Sequence, residues 1–211
     1  MKGRLVAILI AFVVLLTFAL SAVIYADSVK SGVCLSFVLD YQSIEGASLG
    51  SSFFDKILNA AMESDVKVAF FFNCNSMIYE KDYAVALMKA HAANMPIGVY
   101  ALSKKDVERE LIYQKYITKS VSRLVMTENR ALELGGEFCL CYPDKVIIDA
   151  SEMTSEKLAE YGGRSVAVLV GGDTSDAAAR IINSIDDNED IYIMTQTETG
   201  IITYRRGNEN E

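Results

Sequence analysis

The chain has 211 residues, 51% of them hydrophobic, and carries 28 acidic against 20 basic side chains. Removing residues 1–26 takes away two basic residues and no acidic ones, so the remainder has a formal net charge of −10. This acidity, with no basic patch evident in the sequence, argues against nucleic acid and against an anionic membrane surface as partners.

The chain begins with Lys2 and Arg4, which precede an uncharged, mostly apolar run over residues 5–26. At about 1.5 Å per residue, this run is long enough to cross a bilayer as a helix. It predicts either an uncleaved membrane anchor or a signal peptide cleaved after Ala26. The positive charges before the run place the N-terminus in the cytoplasm. We therefore expect residues 27–204 to form one domain outside the cytoplasm, either anchored to the cell membrane or secreted, followed by a polar tail over residues 205–211.

Beyond the run, apolar segments typical of strands alternate with segments of helical periodicity. A mostly apolar stretch at 33–39 predicts the first strand, and 66–72 predicts a second strand covered on both faces. A long helix is predicted to end at Gly135-Gly136. In chain order, the predicted elements are strand 33–39, a helix from about 52, strand 66–72, helix 81–93, strand 97–100, helix 106–134, strands 138–142 and 146–149, helix 154–161, strand 165–170, helix 175–185, and strands 191–195 and 201–204.

Such alternation implies parallel strands joined by right-handed crossovers. A doubly wound sheet and a barrel both satisfy this periodicity.

The loop Gly171-Gly172-Asp173-Thr174 joins a strand to a helix. We interpret it as a tight turn in which Asp173 or Thr174 caps the helix, since it lacks the further glycine and lysine of nucleotide-binding loops.

Three segments resemble motifs of the polysaccharide deacetylase (NodB-like) family. Residues 33–41, VCLSFVLDY, resemble its first motif, an apolar strand followed by Thr-Phe-Asp-Asp-Gly. Residues 68–73, VAFFFN, are similar to its second strand, and residues 94–103, NMPIGVYALS, to its Gly-His-Glu-Ile-Gly-Asn-His-Thr segment. The order of these similarities extends over nearly all of residues 32–197. The resemblance implies an α/β fold, a distorted (β/α) barrel.

The same resemblance places other residues at the family's functional positions. Val38 and Leu39 stand where the family has two acids, one a general base and one a metal ligand, and Tyr100 and Lys104 stand at its two metal-binding histidines. Cys139 replaces an arginine, and Val170 stands at the catalytic histidine. The family's metal needs an aspartate and two histidines, whereas this chain has the single histidine His91. The resemblance therefore implies a degenerate member with no catalytic residue, metal or other cofactor.

Polar residues that follow the predicted strands form a candidate binding groove at the strand ends. Tyrosine rings and amides around a concave face suit sugars, through stacking and hydrogen bonds. Loop residues that only cap the barrel are an equally good interpretation. The candidate groove consists of Asp40, Tyr41, Asn73, Asn75, Tyr100 and Tyr142.

The predicted function is a catalytically inactive, deacetylase-like protein that binds a cell-envelope glycan or an envelope protein, with membrane contact through the N-terminal helix if it is uncleaved. One alternative is an active carbohydrate de-N-acetylase with a rearranged site. Another is a cysteine-based metal or redox site, although the sequence has no Cys-x-x-Cys spacing. Buried free thiols are the simpler interpretation. The cysteines are Cys34, Cys74, Cys139 and Cys141.

Overall fold

The first strand, β1 (Val33–Leu39), is buried at every position and lies within a parallel sheet. Along one edge it pairs with β7 (Ser165–Leu169), and along the other with β2 (Phe70–Phe72) and β8 (Ile191–Gln196). An apolar strand of this kind is expected where both faces of a sheet are covered. The computed structural model describes residues 32–39, 52–73, 80–171, 173–187, 190–196 and 202–205, and all structural statements concern these residues.

The sheet continues from β2 through β3 (Ile97–Tyr100) and β4 (Leu124–Met126) to β5 (Cys139–Cys141), all parallel. On the other side of β1, β6 (Lys145–Ile147) pairs with β7. The outermost strands β5 and β6 are joined by residues 142–144 alone, and four Cα steps span at most about 14 Å. The chain therefore crosses directly from one edge strand to the other, and the parallel sheet curls into a half-barrel that matches the distorted (β/α) barrel implied by the resemblance.

A last strand, β9 (Ile202–Arg205), pairs antiparallel with β8. Arg205, which the sequence assigned to the polar tail, is therefore the end of a strand.

The second predicted strand is also shorter than expected. Val66, Val68 and Ala69 are buried and Lys67 is exposed. These residues lie outside the strand ladder, although the Ala69 amide donates to the Met194 carbonyl at 2.9 Å.

Helices cover the outside of the barrel and bury an apolar layer against it. Aromatic rings meet edge to face in this layer, with centroids 5.0 Å apart for Phe54 and Phe70 and 5.5 Å apart for Phe72 and Tyr83. Such pairs stabilise the contact beyond the area that they bury. The helices are α1 (Ser52–Glu63), α2 (Glu80–Ala92), α3 (Lys104–Thr118), α4 (Ser155–Ala159) and α5 (Asp173–Asn183), with short 3₁₀ turns at Ala150–Glu152 and Ile185–Asp187.

The predicted long helix over 106–134 is wrong. Helix α3 begins after Ser103, whose hydroxyl accepts a hydrogen bond from the Asp106 amide, and ends at Thr118. Lys119 follows in the left-handed conformation, at φ 62°. Such a residue is a common helix stop. The chain then forms β4, so the later half of the predicted helix is a buried strand and an irregular connection to β5.

No helix among the described residues has the length and apolarity needed to cross a bilayer. The apolar run over residues 5–26 lies outside the described residues. The anchor or signal peptide that it indicates therefore stays a prediction.

Candidate functional site

The barrel interior is filled by alternate residues of its strands. On β1, Val38 faces inward, whereas Leu39 packs in the layer beneath the helices. Ser36 also lies on the inward side, where its hydroxyl donates to the Val166 carbonyl at 3.3 Å. The interior cluster is apolar and rich in sulfur: Cys34, Val38, Ala69, Phe71, Tyr100, Leu124, Met126, Cys141, Ala167 and Met194, with Cys139, Val146 and Leu169 packed against it.

Gly98 makes room for an aromatic ring in this interior. A Cβ atom at Gly98 would lie 2.4 Å from Cδ1 of Phe71. That distance is far below ordinary van der Waals contact, so the Phe71 ring occupies the space that a side chain on β3 would fill. Together these residues fill the middle of the barrel with packed apolar atoms.

Three cysteines of the barrel, Cys34, Cys139 and Cys141, are free thiols. Burial raises the pKa of Cys34 well above its ordinary value and that of Cys141 to about 12, and in each case a neighbouring cysteine raises it further. These two groups are therefore neutral thiols rather than the thiolates that bind metals or attack disulfides. Among the residues that the structure describes, no three His, Cys, Asp or Glu side chains are grouped to hold a metal ion. Cys74 lies outside them.

The side chains that the resemblance assigns to metal-binding positions do not fit a metal ion. Val38 and Leu39 offer no donor atom, and Leu39 faces away from the interior. The Tyr100 hydroxyl is already bonded to Glu128, and Lys104 is an exposed cation at the start of α3. Val170, at the place of the catalytic histidine, also packs beneath the helices. The set lacks the aspartate oxygen and two imidazoles that the family's metal needs.

Tyr100 and Asn73 end neighbouring strands, but both are almost completely buried. Each is 7% exposed. The Tyr100 ring is packed in the barrel, and its hydroxyl donates to Oε1 of Glu128, in the segment after β4. The backbone amide of Asn73 donates to the Leu39 carbonyl at 3.1 Å. Neither residue presents a broad surface to a ligand, so stacking of a sugar on Tyr100 would need movement of its neighbours.

Tyr142 offers a more accessible aromatic surface. It is half-buried, in the connection from β5 to β6. The guanidinium carbon of Arg130 lies 5.8 Å from the centre of its ring. Arg130 also approaches Asp144, with Nη2 and Oδ1 3.5 Å apart. We name Glu128, Arg130, Tyr142 and Asp144 the rim cluster.

The segment after β4 holds the rim cluster in place. The Thr127 amide donates to the Cys141 carbonyl at 3.0 Å, and the Asn129 side chain donates to the Leu102 carbonyl at 3.0 Å. These bonds tie the segment to β5 and to the loop after β3. Residues 128–130 thereby link Tyr100 to Tyr142, two of the six predicted site residues. The other strand-end candidates, Asp40, Tyr41 and Asn75, lie outside the described residues.

His91 is exposed near the end of α2. Since α2 leads from the end of β2 to the start of β3, His91 lies near the start of β3. The predicted turn at residues 171–174 is tied by Thr174. Its hydroxyl accepts from the Gly171 amide at 3.0 Å and donates to the Leu169 carbonyl at 2.7 Å.

Glu110, on the inner side of α3, is a buried carboxyl group that the sequence reasoning missed. Tyr83 of α2 and the Gln114 side chain both donate to its Oε1, and Gln114 also donates to the Gly98 carbonyl at 3.1 Å. Oε2 of Glu110 is buried without a hydrogen-bond partner. Burial, opposed by these bonds and by Arg109, raises the pKa of Glu110 to about 7. A usable signal was present, since Val107, Glu110 and Gln114 share the inward stripe of one helix.

Glu128 and Arg130 were missed as well, because the segment that carries them was predicted to be helical. Recognising Leu124–Met126 as a strand would have placed both residues directly after a strand end.

No protein-family model and no curated protein sequence matches the chain. Its fold is similar to solved structures of the peptidoglycan deacetylase PdaC from Bacillus subtilis. The D285S mutant has a TM-score of 0.55 and 14% identity, covering 79% of this chain and 88% of that one. The other PdaC structure has a TM-score of 0.54, with the same identity and coverage. At this identity the likeness establishes the shared fold. It confirms the deacetylase-type barrel that the motifs implied.

Proposed function

We propose that this domain is a degenerate member of the polysaccharide deacetylase family, which binds a glycan of the cell envelope without hydrolysing it. The observation that carries the proposal is the position of Val38 and Tyr100. They stand where the family has an acid and a metal-binding histidine, and both are packed into the apolar interior of the barrel. A metal-bound hydroxide would need a polar, open site in the same place.

Glycan as the ligand class is supported by the rim cluster and by the fold shared with PdaC, a peptidoglycan deacetylase. Tyr142 supplies a half-exposed ring, Arg130 and Asp144 supply hydrogen-bonding groups beside it, and Glu128 is exposed. Rings and convergent polar groups of this kind recognise sugars. The apolar run over residues 5–26 predicts an extracytoplasmic location, where such a glycan is found.

The catalytic half of the proposal is tested by acetate release from chitooligosaccharides and peptidoglycan fragments. We expect none above background from the full chain, with or without added zinc. Metal-dependent acetate release would contradict the proposal and support an active de-N-acetylase with a rearranged site.

The binding half is tested by retention of the full chain on insoluble peptidoglycan. We expect Tyr142→Ala to reduce retention at least about tenfold, since loss of a central aromatic contact commonly weakens binding by more than about 1.4 kcal/mol. Tyr116→Ala is the matched control, because Tyr116 is an exposed tyrosine on α3. Equal retention of the two variants would show that the rim cluster is not the glycan site.

A further inference from the structure

The outer side of α3 carries positive charge on an otherwise acidic domain. Val107, Glu110 and Gln114 are buried on the inner side of the helix. The exposed residues from 104 to 119 include five lysine or arginine side chains and the single acid Glu108. We name the following residues the basic face: Lys105, Arg109, Ile112, Lys115, Tyr116 and Lys119.

The charges of this face are largely uncompensated. Arg109 pairs with Asp106 at 2.9 Å on the same helix. Among the described residues, Lys105, Lys115 and Lys119 make no ion pair, and Nζ of Lys119 donates instead to the Tyr116 carbonyl at 2.9 Å. The sequence, in which acidic residues dominate, concealed this patch because helix geometry is needed to gather its lysines on one side.

Two large apolar side chains lie in the middle of the basic face. Ile112 is 71% exposed and Tyr116 is 76% exposed. They are four residues apart, so they are neighbours on the helix surface. Val121, in the connection after α3, is also exposed. Lysines around an aliphatic and an aromatic side chain are typical of helices that lie on membrane surfaces.

The topology places the most basic part of this face at the end of the barrel where the chain enters. Helix α3 follows the end of β3 and leads to the start of β4, so it runs back along the sheet. Its last turn, with Lys115, Tyr116 and Lys119, therefore lies at the strand-start end of the domain. Strand β1 also begins there, directly after Gly32. This is the end that an upstream membrane anchor would tether.

We propose that the basic face of α3 docks on a membrane surface bearing anionic phospholipid headgroups. The lysines contact the headgroups, and Ile112 and Tyr116 enter the boundary between headgroups and acyl chains. The acidic remainder of the domain is repelled by the same surface, so this face determines how the domain is oriented. A soluble polyanion such as nucleic acid would attract the lysines but would leave Ile112 and Tyr116 in water.

The absence of tryptophan from the whole chain provides a direct test. In the full chain, Tyr116→Trp introduces a single tryptophan into the basic face. Ile148→Trp is the matched control, because Ile148 is 69% exposed and lies just after the end of β6, away from α3. Both variants are reconstituted with vesicles of brominated phosphatidylcholine, alone or mixed with phosphatidylglycerol. Circular dichroism checks that each variant keeps the parent fold.

We expect the tryptophan at position 116 to shift to shorter wavelength and to lose most of its emission in the vesicles that contain phosphatidylglycerol. High salt should reverse part of this quenching, since surface charges are screened. The tryptophan at position 148 should be unaffected. Adding Lys115→Glu and Lys119→Glu to the position 116 variant should remove the quenching, while Glu108→Gln should preserve it.

Three results would overturn the proposal. One is unquenched emission from position 116 in anionic vesicles, and another is equal quenching at positions 116 and 148. The third is an emission shift at position 116 that a soluble polyanion produces and anionic vesicles do not, which would assign the face to a polyanionic polymer.

Discussion

Val38 and Glu110 are both completely buried, on opposite sides of the sheet. Val38 lies inside the barrel among apolar side chains and thiols, at a place where the deacetylase motif has an acid. Glu110 lies between α3 and the outside of the sheet, where Tyr83 and Gln114 donate hydrogen bonds to it. The buried carboxyl group of Glu110 therefore lies in the layer between helices and sheet, whereas the interior around Val38 is packed like a core. The raised pKa of Glu110 makes the stability of the fold depend on pH.

The largest effect is expected from placing an acid inside the barrel. Val38→Asp should lower the free energy of unfolding at pH 7 by about 3 to 5 kcal/mol, because a carboxylate is buried there without a partner. Urea denaturation measures this loss, which should shrink as pH falls and the new carboxyl group becomes protonated.

Val38→Asn is the control, since asparagine has nearly the same shape as aspartate and carries no charge. It should lose about 1 to 3 kcal/mol and show no added dependence on pH. A loss below about 1 kcal/mol for Val38→Asp would mean that water reaches the interior, as in an open pocket.

On the other side of the sheet, Glu110 should also make the free energy of unfolding depend on pH. Its pKa is raised from 4.5 to about 7 on folding, so the folded state binds more protons than the unfolded state between these values. Its contribution to stability is therefore complete below pH 4.5 and is lost as pH rises towards 7, about 3 kcal/mol in all.

Glu110→Gln should remove this component, measured as the difference between the two proteins in urea denaturation across pH 4 to 8. Glu108→Gln, on the exposed side of the same helix, is the matched control and should follow the parent. If the Glu110→Gln difference is constant with pH, Glu110 has the same pKa folded and unfolded.

The smallest of the three effects concerns the packing inside the barrel. Gly98→Ala should cost about 1 to 3 kcal/mol, because its methyl group would overlap the Phe71 ring. Gly136→Ala is the control, since a Cβ atom there meets no atom within 4 Å. Phe71→Leu should recover part of the loss when combined with Gly98→Ala. Additive losses in the double variant would show that the two residues do not compete for the same space.

Much of the fold followed from the sequence because its central strands are continuous apolar runs. Strand β1 matches its prediction at both ends, and β3 does so as well. The strand Leu124–Met126 was missed because three residues give too short a pattern to be distinguished from the helix before it. The irregular connection after it carries Glu128 and Arg130, so the same error hid half of the rim cluster.

The site was predictable only in part. The sequence resemblance assigned Val38 and Tyr100 to the family's functional positions, which stays a prediction, and the structure places both side chains inside the barrel. The motifs did not reveal that Leu39 and Val170 face the helices, since adjacent strand residues point to opposite faces only once the register is fixed. They also did not reveal that Tyr100 is almost completely buried, which depends on neighbours distant in sequence.

By itself, the sequence determined the alternation of strands and helices, the acidic balance of charge and the presence of one histidine. These properties depend on local pattern and composition, which no folding event alters. Only the tertiary structure decided that the interior is packed, that Glu110 is buried beside Tyr83, and that the lysines of α3 gather on one face. Each of these outcomes depends on contacts or directions in space between residues that the chain order alone does not bring together.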